Sequence, residues 1–264
     1  MTVHHLNCAS MHPRFGPPAV AHVLLVERPE GLLLVDTGLG TGDLGSRSRT
    51  GRGFVTVQRP RLAPTETAVS QVAALGHEPG DVTDIVLTHL DLDHAGGLGD
   101  FPAARVHLHR DELEAATRPS LRERARYLAA QWEHGPHWVR HDEFGEDWFG
   151  FRATTLSDDV LLVPLPGHTR GHCGVAVRRP DGHWLLHAGD TTFDSGDLHV
   201  PPSCHRGLAL FQAAMALDNG ARRATVERLR ALSTDQAGAV TVFCAHDKQS
   251  FDDLAAGAPG GAVG

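Results

Sequence analysis

The chain has 264 residues, 41% of them hydrophobic and 21% charged, enough apolar material for a sizeable core and too much for a disordered polymer. A net charge of −8 works against a general nucleic-acid surface, because phosphate polymers need a basic face. No apolar run approaches a membrane span and Met1 to Pro13 hold no basic stretch followed by an apolar one, so a cytoplasmic protein with no membrane partner, acting on a small molecule, is expected.

The length suits one large α/β domain, and no shift of composition marks a boundary midway. Residues 1–254 are expected to form that domain, with the Gly- and Ala-rich segment 255–264 a frayed tail. Cys8, Cys173, Cys204 and Cys244 show no paired C-x-x-C spacing, which predicts buried, reduced thiols in place of disulfides or a zinc knuckle. The 19 histidines are the compositional outlier, and some of them should be ligands.

Along the chain, Ala19 to Glu27 and Gly31 to Asp36 are Val- and Leu-rich runs split by Pro29 and Gly31, the pattern of a hairpin that leads into an Asp36-Thr37-Gly38 turn. A Gly- and Arg-rich loop follows from Gly40 to Arg61. Helical spacing of Val69, Val72 and Ala73 predicts an amphipathic helix over Thr65 to Leu75. Ile85, Val86 and Leu87 mark a buried strand. Further strands are expected at Val160 to Leu165, Cys173 to Arg178, His183 to Ala188 and Ala239 to Cys244, and helices at Asp111 to Thr117, Leu121 to Trp132, Leu208 to Leu217 and Arg222 to Leu232. Two mostly antiparallel sheets covered by helices, an αβ/βα sandwich, would bury both apolar faces.

Candidate chemistry concentrates just past the Ile85–Leu87 strand. Thr88-His89-Leu90-Asp91-Leu92-Asp93-His94-Ala95-Gly96-Gly97 puts four possible ligands in six residues, alternating with leucines that can turn into the core, a pattern suited to a strand end entering a tight loop and not to a helix. Pro166-Gly167-His168-Thr169-Arg170-Gly171-His172, His187-Ala188-Gly189-Asp190 and Phe243-Cys244-Ala245-His246-Asp247 each place a histidine or carboxylate just past another predicted strand. A lone loop histidine is usually an ordinary polar position, and His172 is read so, bonded to its own turn. A set of this size at successive strand ends is not.

In these residues the chain resembles the metallo-β-lactamase superfamily, whose signature is His-x-His-x-Asp-His followed by a His, a bridging Asp and a final His. The match runs from the Asp36 turn to His246 with every element in order. The Asp-His-Ala-Gly-Gly run, the Pro-Gly-His-Thr turn and the opening His4-His5-Leu6-Asn7-Cys8 look most like the N-acyl homoserine lactonases. The resemblance implies two divalent metal ions, zinc foremost, one held by His89, Asp91 and His168 and the other by Asp93, His94 and His246, with Asp190 bridging. It also implies a metal-bridging hydroxide as nucleophile, and Asp93 as a group that passes a proton to the leaving group.

Two positions depart from the pattern. Asp91 stands where the family usually has histidine; a third carboxylate lowers the net charge of the centre, weakens it as a Lewis acid and favours iron or manganese at that corner. Phe193 stands where the lactonases place a tyrosine whose hydroxyl contacts the substrate carbonyl, and phenylalanine has no such donor. Tyr127, the one tyrosine, could supply it from elsewhere, or lie half-exposed on a helix. Arg47, Arg49, Arg52, Arg59 and Arg61 could recognise an anionic substrate group from a binding loop, or belong to a solvated one. Trp132, His134, His137, Trp138 and His141 could wall a pocket or simply pack a connector. The leading expectation is hydrolysis of a small ester-like substrate, a lactone before a thioester or phosphodiester. The alternative, suggested by Asp91, is a di-iron oxidoreductase or oxygenase.

Overall fold

The computed structural model describes residues 1–257, less the side chains of Arg47 and Ser48. Two six-stranded sheets form the frame. The first follows chain order: β1 (Thr2–Met11), β2 (Ala19–Arg28), β3 (Gly31–Val35), β4 (Val82–Val86), β5 (Arg105–His109) and β6 (His137–His141). The second holds β7 (Glu146–Trp148), β8 (Phe151–Ser157), β9 (Val160–Pro164), β10 (Cys173–Arg178), β11 (Trp184–His187) and β12 (Val240–Phe243), again in chain order across the sheet.

Alternation along the strands explains why they stack. In β2, Leu24 and Val26 face one apolar cluster while Val23 and Leu25 face another, so the strand is covered on both sides. The cluster between the sheets joins Leu24, Leu33, Val35 and Val86 of the first to Leu162, Val175, Val177 and Phe243 of the second. Beyond the second sheet, Leu161, Val163, Ala176 and Leu186 meet Leu229 and Leu232 of the helix Asn219–Asp235. The outer face of the first sheet packs on Val72 of the helix Ala68–Ala74 and Ala115 of the helix Arg110–Thr117. This is the expected α/β sandwich of helix, sheet, sheet and helix.

Strand direction differs in part from the expectation. The second sheet is antiparallel except for the β11–β12 pair, but β3–β4, β4–β5 and β5–β6 are all parallel, so the first sheet is mixed. Parallel neighbours need crossovers, and the segments that follow β3, β4 and β5 supply them; one carries the His89–Gly97 run and another the helix Arg110–Thr117. Strands β1, β5, β6, β7 and β8 were not visible in the sequence because they are edge or polar strands without a Val- or Leu-rich run.

Three further corrections concern helices. Gly40 to Arg61 is not plain loop: short helices occupy Arg47–Thr50 and Arg52–Gln58. The helix expected over Leu121 to Trp132 is a series of turns ending in a 3-10 turn at Ala129–Gln131. Side chains there are committed to partners elsewhere: Arg122 donates to the carbonyls of Ala216 and Leu217, and Glu123 binds Arg170. Finally, the helix Lys248–Ala256 takes in Ala255 and Ala256, the start of the expected tail; residues 258–264 lie outside the described residues. Among the described residues no helix is long and apolar enough to cross a membrane.

Candidate metal centre

The candidate ligands sit where strands end. His89 and Asp91 follow β4, His168 lies in the turn from β9 to β10, Asp190 follows β11 and His246 follows β12. Since β9 and β11 both run antiparallel to β10, and β12 runs parallel to β11, those three C-terminal ends share one edge of the second sheet. The run after β4 reaches them from the first sheet, tied on by the bond from Cys173 N to the Thr88 carbonyl. Contrary to the expectation of a plain loop, Leu92–Ala95 closes one helical turn, with the Asp91 carbonyl accepting from His94 N and Ala95 N. Gly96 and Gly97 make room for that turn: a Cβ on Gly97 would come within 2.8 Å of the Thr37 carbonyl oxygen, and one on Gly96 equally near that of Gly38. They let the run pack against the Asp36–Gly38 turn rather than around a metal.

Two sets of side chains converge. His89, Asp91, His168 and Asp190 each offer a ligand atom, all within 4.8 Å of one another, and Asp93, His94 and His246 form a second set on the same terms. Asp190 joins them. Its Oδ2 lies 3.7 Å from His89 Nε2 and 3.4 Å from His168 Nε2, while its Oδ1 lies 3.2 Å from His94 Nε2 and 3.0 Å from His246 Nε2. Asp91 Oδ2 completes the first set at 3.4 Å from His89 Nε2 and 3.1 Å from His168 Nε2. Asp93 Oδ2 completes the second, 3.7 Å from His246 Nε2.

The residues fit divalent cations. His89 Nε2, His94 Nε2, Asp91 Oδ1 and Asp190 Oδ1 are buried and make no hydrogen bond, although buried polar atoms are nearly always paired. Acceptors turned toward one another without donors suit a cation among them. The electrostatics agree: burial pulls the His246 imidazole down, but the Asp190 carboxylate outweighs it and pushes the group up to about 9. Carboxylates that draw charge onto imidazoles would be served by a metal ion as well.

Outer partners fix the rings. His94 Nδ1 meets Asp36 Oδ2 at 2.8 Å, His246 Nδ1 donates to the Val20 carbonyl at 2.8 Å, and His89 Nδ1 lies 3.0 Å from Thr88 Oγ1. These bonds leave each Nε2 free to face the centre. His172 does what its turn asks: Nδ1 donates to the Leu165 carbonyl and Nε2 accepts from Asp190 N at 2.9 Å, fixing the backbone of the carboxylate between the two sets.

Two residues at the centre went unnoticed in the sequence. Glu112 is buried and accepts from Leu90 N at 2.9 Å, Tyr127 Oη at 3.0 Å, Thr169 Oγ1 at 2.6 Å and Gly171 N at 3.2 Å, tying the His89–Asp91 loop to the His168 turn. Tyr127 is therefore neither helical and half-exposed nor a substrate donor; its hydroxyl is spent on Glu112. Arg126 sets Nη1 2.7 Å from Asp91 Oδ2. Burial favours a neutral Asp91, but the guanidinium, then His89 and His168, hold its carboxyl well below the usual range. The third carboxylate thus arrives with a compensating cation, and the charge argument for a weakened Lewis acid lapses. Sequence spacing could not reveal either residue, although an extra buried carboxylate at position 91 was itself a reason to look for an arginine.

A cavity of about 220 Å³ opens over the ligands, with Asp91, Asp93, His168, Asp190 and His246 on its floor and Phe54, Val57, Phe193, Phe211 and Met215 on its walls. Phe193 is buried against two of the four candidate ligand rings, 5.7 Å from His168 and 5.2 Å from His246 between centroids. The arginine-rich segment reaches the cavity through Gly53, Phe54, Val57 and Gln58 and, among the described side chains, not through its arginines; Arg49 binds Asp43 and Gln131, Arg61 pairs with Glu66, and the Arg47 side chain lies outside the described residues. Trp132 and Trp138 pack on the outer core and His141 stacks on His107, while His134 and His137 are exposed; none of the five lines the cavity over the candidate ligands.

The fold and the Asp190-centred cluster define a class, and the family model described as the metallo-beta-lactamase superfamily matches residues 16–246. The chain belongs to that superfamily. Within it, the chain is 44% identical over 261 residues to a "probable metallo-hydrolase" of Mycobacterium tuberculosis, covering 94% of this chain and 81% of that one. It is 30% identical to the N-acyl homoserine lactonase AttM of Azorhizobium caulinodans over 61% of each protein. Among solved structures, a mutant of AiiA from B. thuringiensis with N-decanoyl-L-homoserine at its active site superposes with a TM-score of 0.75 at 19% identity, covering 94% of both chains, a likeness of fold.

Proposed function

We propose that this chain is a dinuclear metal-dependent hydrolase of a small ester-like substrate, a lactone foremost. The observation that carries the reading is the placement of Asp190, one carboxylate oxygen toward His89 and His168, the other toward His94 and His246. On this reading His89, Asp91 and His168 hold one cation, Asp93, His94 and His246 the other, and Asp190 lies between. When bound, two such ions polarise a scissile carbonyl, lower the pKa of bound water towards ~7 and neutralise developing negative charge. The four imidazoles favour zinc.

The chain's own residues do the rest. Asp93, on the cavity floor, passes a proton to the leaving group. Phe54, Val57, Phe211 and Met215 exclude water and hold an apolar substituent beside the reacting carbonyl. Such a cavity, apolar above and ligand-lined below, suits an acylated lactone, whose acyl chain its apolar walls can hold. The AttM relative, described as an N-acyl homoserine lactonase, supports the same substrate class. The redox alternative rested on the carboxylate at position 91, whose charge the Asp91–Arg126 pair balances; the four imidazoles and the apolar cavity favour hydrolysis over it.

Metal content and hydrolysis of lactones, thioesters and phosphodiesters by the wild type, His246→Ala and Asp190→Ala test the proposal together. Each substitution should lower both metal content and rate, because each opens a coordination position to water. Full metal occupancy and full activity in either variant would remove that residue from the site, and turnover of phosphodiesters alone would reassign the substrate.

A further inference from the structure

Arg126 does more than balance Asp91. Its Nη1 also lies 2.8 Å from His168 Nε2, and Nη2 donates to the Met215 carbonyl, so the guanidinium, on a side chain only 7% exposed, is held with one nitrogen against two of the four ligand atoms of the first set. The second set has no counterpart: among the described residues the ion pairs of Asp93 and Asp190 are to histidines alone. An imidazole Nε2 carries a single lone pair in the ring plane and can give it either to an N–H donor or to a cation, not to both. A metal taking His168 must therefore displace the guanidinium, whose permanent charge also repels it.

We propose that Arg126 is a tethered cation competing with metal for the His89–Asp91–His168 corner, so that the centre loads in order. This rests on the metal reading above. The Asp93–His94–His246 half, with Asp190, fills first and tightly. The Asp91 half fills second and more weakly, as the guanidinium leaves His168 while staying within reach of Asp91. One protein thus holds a tight ion and an exchangeable one, and the site difference comes from a side chain that ligates nothing.

The test is titration of the metal-free full chain with Zn²⁺ against a chromophoric chelator. The wild type should bind two equivalents with dissociation constants at least tenfold apart. Arg126→Met, which keeps the stem and removes the charge, should tighten the weaker equivalent at least tenfold, while Arg126→Lys should keep the steps apart. Two equal wild-type sites, or an Arg126→Met isotherm that overlays the wild type or loosens the second step, would overturn the proposal. Absence of any Zn²⁺ binding would instead remove the metal reading itself. Should Arg126→Met not fold, Co²⁺ spectra of otherwise intact chains decide: His168→Ala should retain the first equivalent's absorption and His246→Ala should lose it, and the reverse pattern would overturn the order.

Discussion

Asp36 Oδ2 accepts from His94 Nδ1 at 2.8 Å, and the same carboxylate accepts from Thr88 N at 2.7 Å and Thr88 Oγ1 at 2.8 Å. One buried side chain thereby sets the ring of one candidate ligand and anchors the residue before another, His89. Asp36 adopts a φ of 61°, a left-handed conformation that Asp and Asn tolerate far better than other residues with a side chain. Asp36→Asn should therefore keep the turn but weaken the bond that orients and enriches His94. Metal affinity should fall by roughly 10–100-fold. Chelator competition measures it directly, and affinity within twofold of wild type would show that Asp36 holds the turn and nothing more.

The Asp91–Arg126 pair reverses the simplest forecast for position 91. With the sequence alone, Asp91→His restores the family pattern and should improve a zinc site. In the folded chain it leaves a buried guanidinium without its carboxylate, a loss that typically costs about 3–5 kcal/mol. Urea unfolding of Asp91→His should show a drop of that order with reduced zinc content, and Asp91→His combined with Arg126→Met should recover most of both. Wild-type stability and higher zinc content in the single variant would mean that the pair contributes little.

Acid should weaken the fold through histidines that are not themselves candidate ligands. His5 Nδ1 lies 2.7 Å from His22 Nε2 inside the sandwich. Burial, and then His187, Arg179 and His4, lower the His5 imidazole from 6.5 to about 4. A group whose folded pKa is depressed binds protons preferentially in the unfolded chain, so its stabilising contribution is complete above about 6.5 and is lost as pH falls towards 4. Between pH 7 and pH 5 that amounts to about 2 kcal/mol for His5. The measurement is the urea midpoint at both pH values for wild type and His5→Gln; the variant should lose distinctly less on acidification, and an equal loss in both would locate the sensitivity elsewhere.

How much of this was legible in the sequence follows the range of the forces involved. Strand ends announce themselves locally, since apolar runs such as Leu32–Val35 and Ile85–Leu87 stop where a polar residue begins. The His89–His94 spacing is local too. Arg126 and Glu112 are 35 and 22 residues from the groups they serve, Asp91 and Leu90, and nothing in their own neighbourhood marks them. Strand β1 was hidden for a different reason: Thr2–Met11 breaks the polar–apolar alternation at His4-His5 and again at Cys8-Ala9 and lacks the β-branched run that flags a strand, and its pairing with β2 decides its conformation.

Phe193 offers the sharpest probe of substrate class. It lines the cavity and packs edge-on to the rings of His168 and His246, at the position where the lactonases this chain resembles place a tyrosine. Without a hydroxyl there, the oxyanion of a tetrahedral intermediate has one donor fewer on the protein side. Phe193→Tyr adds one oxygen to a wall that borders open cavity, so it can be accommodated without burying an unpaired polar group in the core. If the reacting carbonyl sits below this wall, the new hydrogen bond forms chiefly in the transition state, and such a bond is worth about 1–1.5 kcal/mol. Lactone kcat should then rise about tenfold with KM little changed, the pattern of an interaction made only on the way to the intermediate. Metal content, measured alongside, should stay the same. A fall in kcat at unchanged metal content would mean that the substrate approaches from another side, and a change in KM alone would place the ring against the acyl chain instead of the carbonyl.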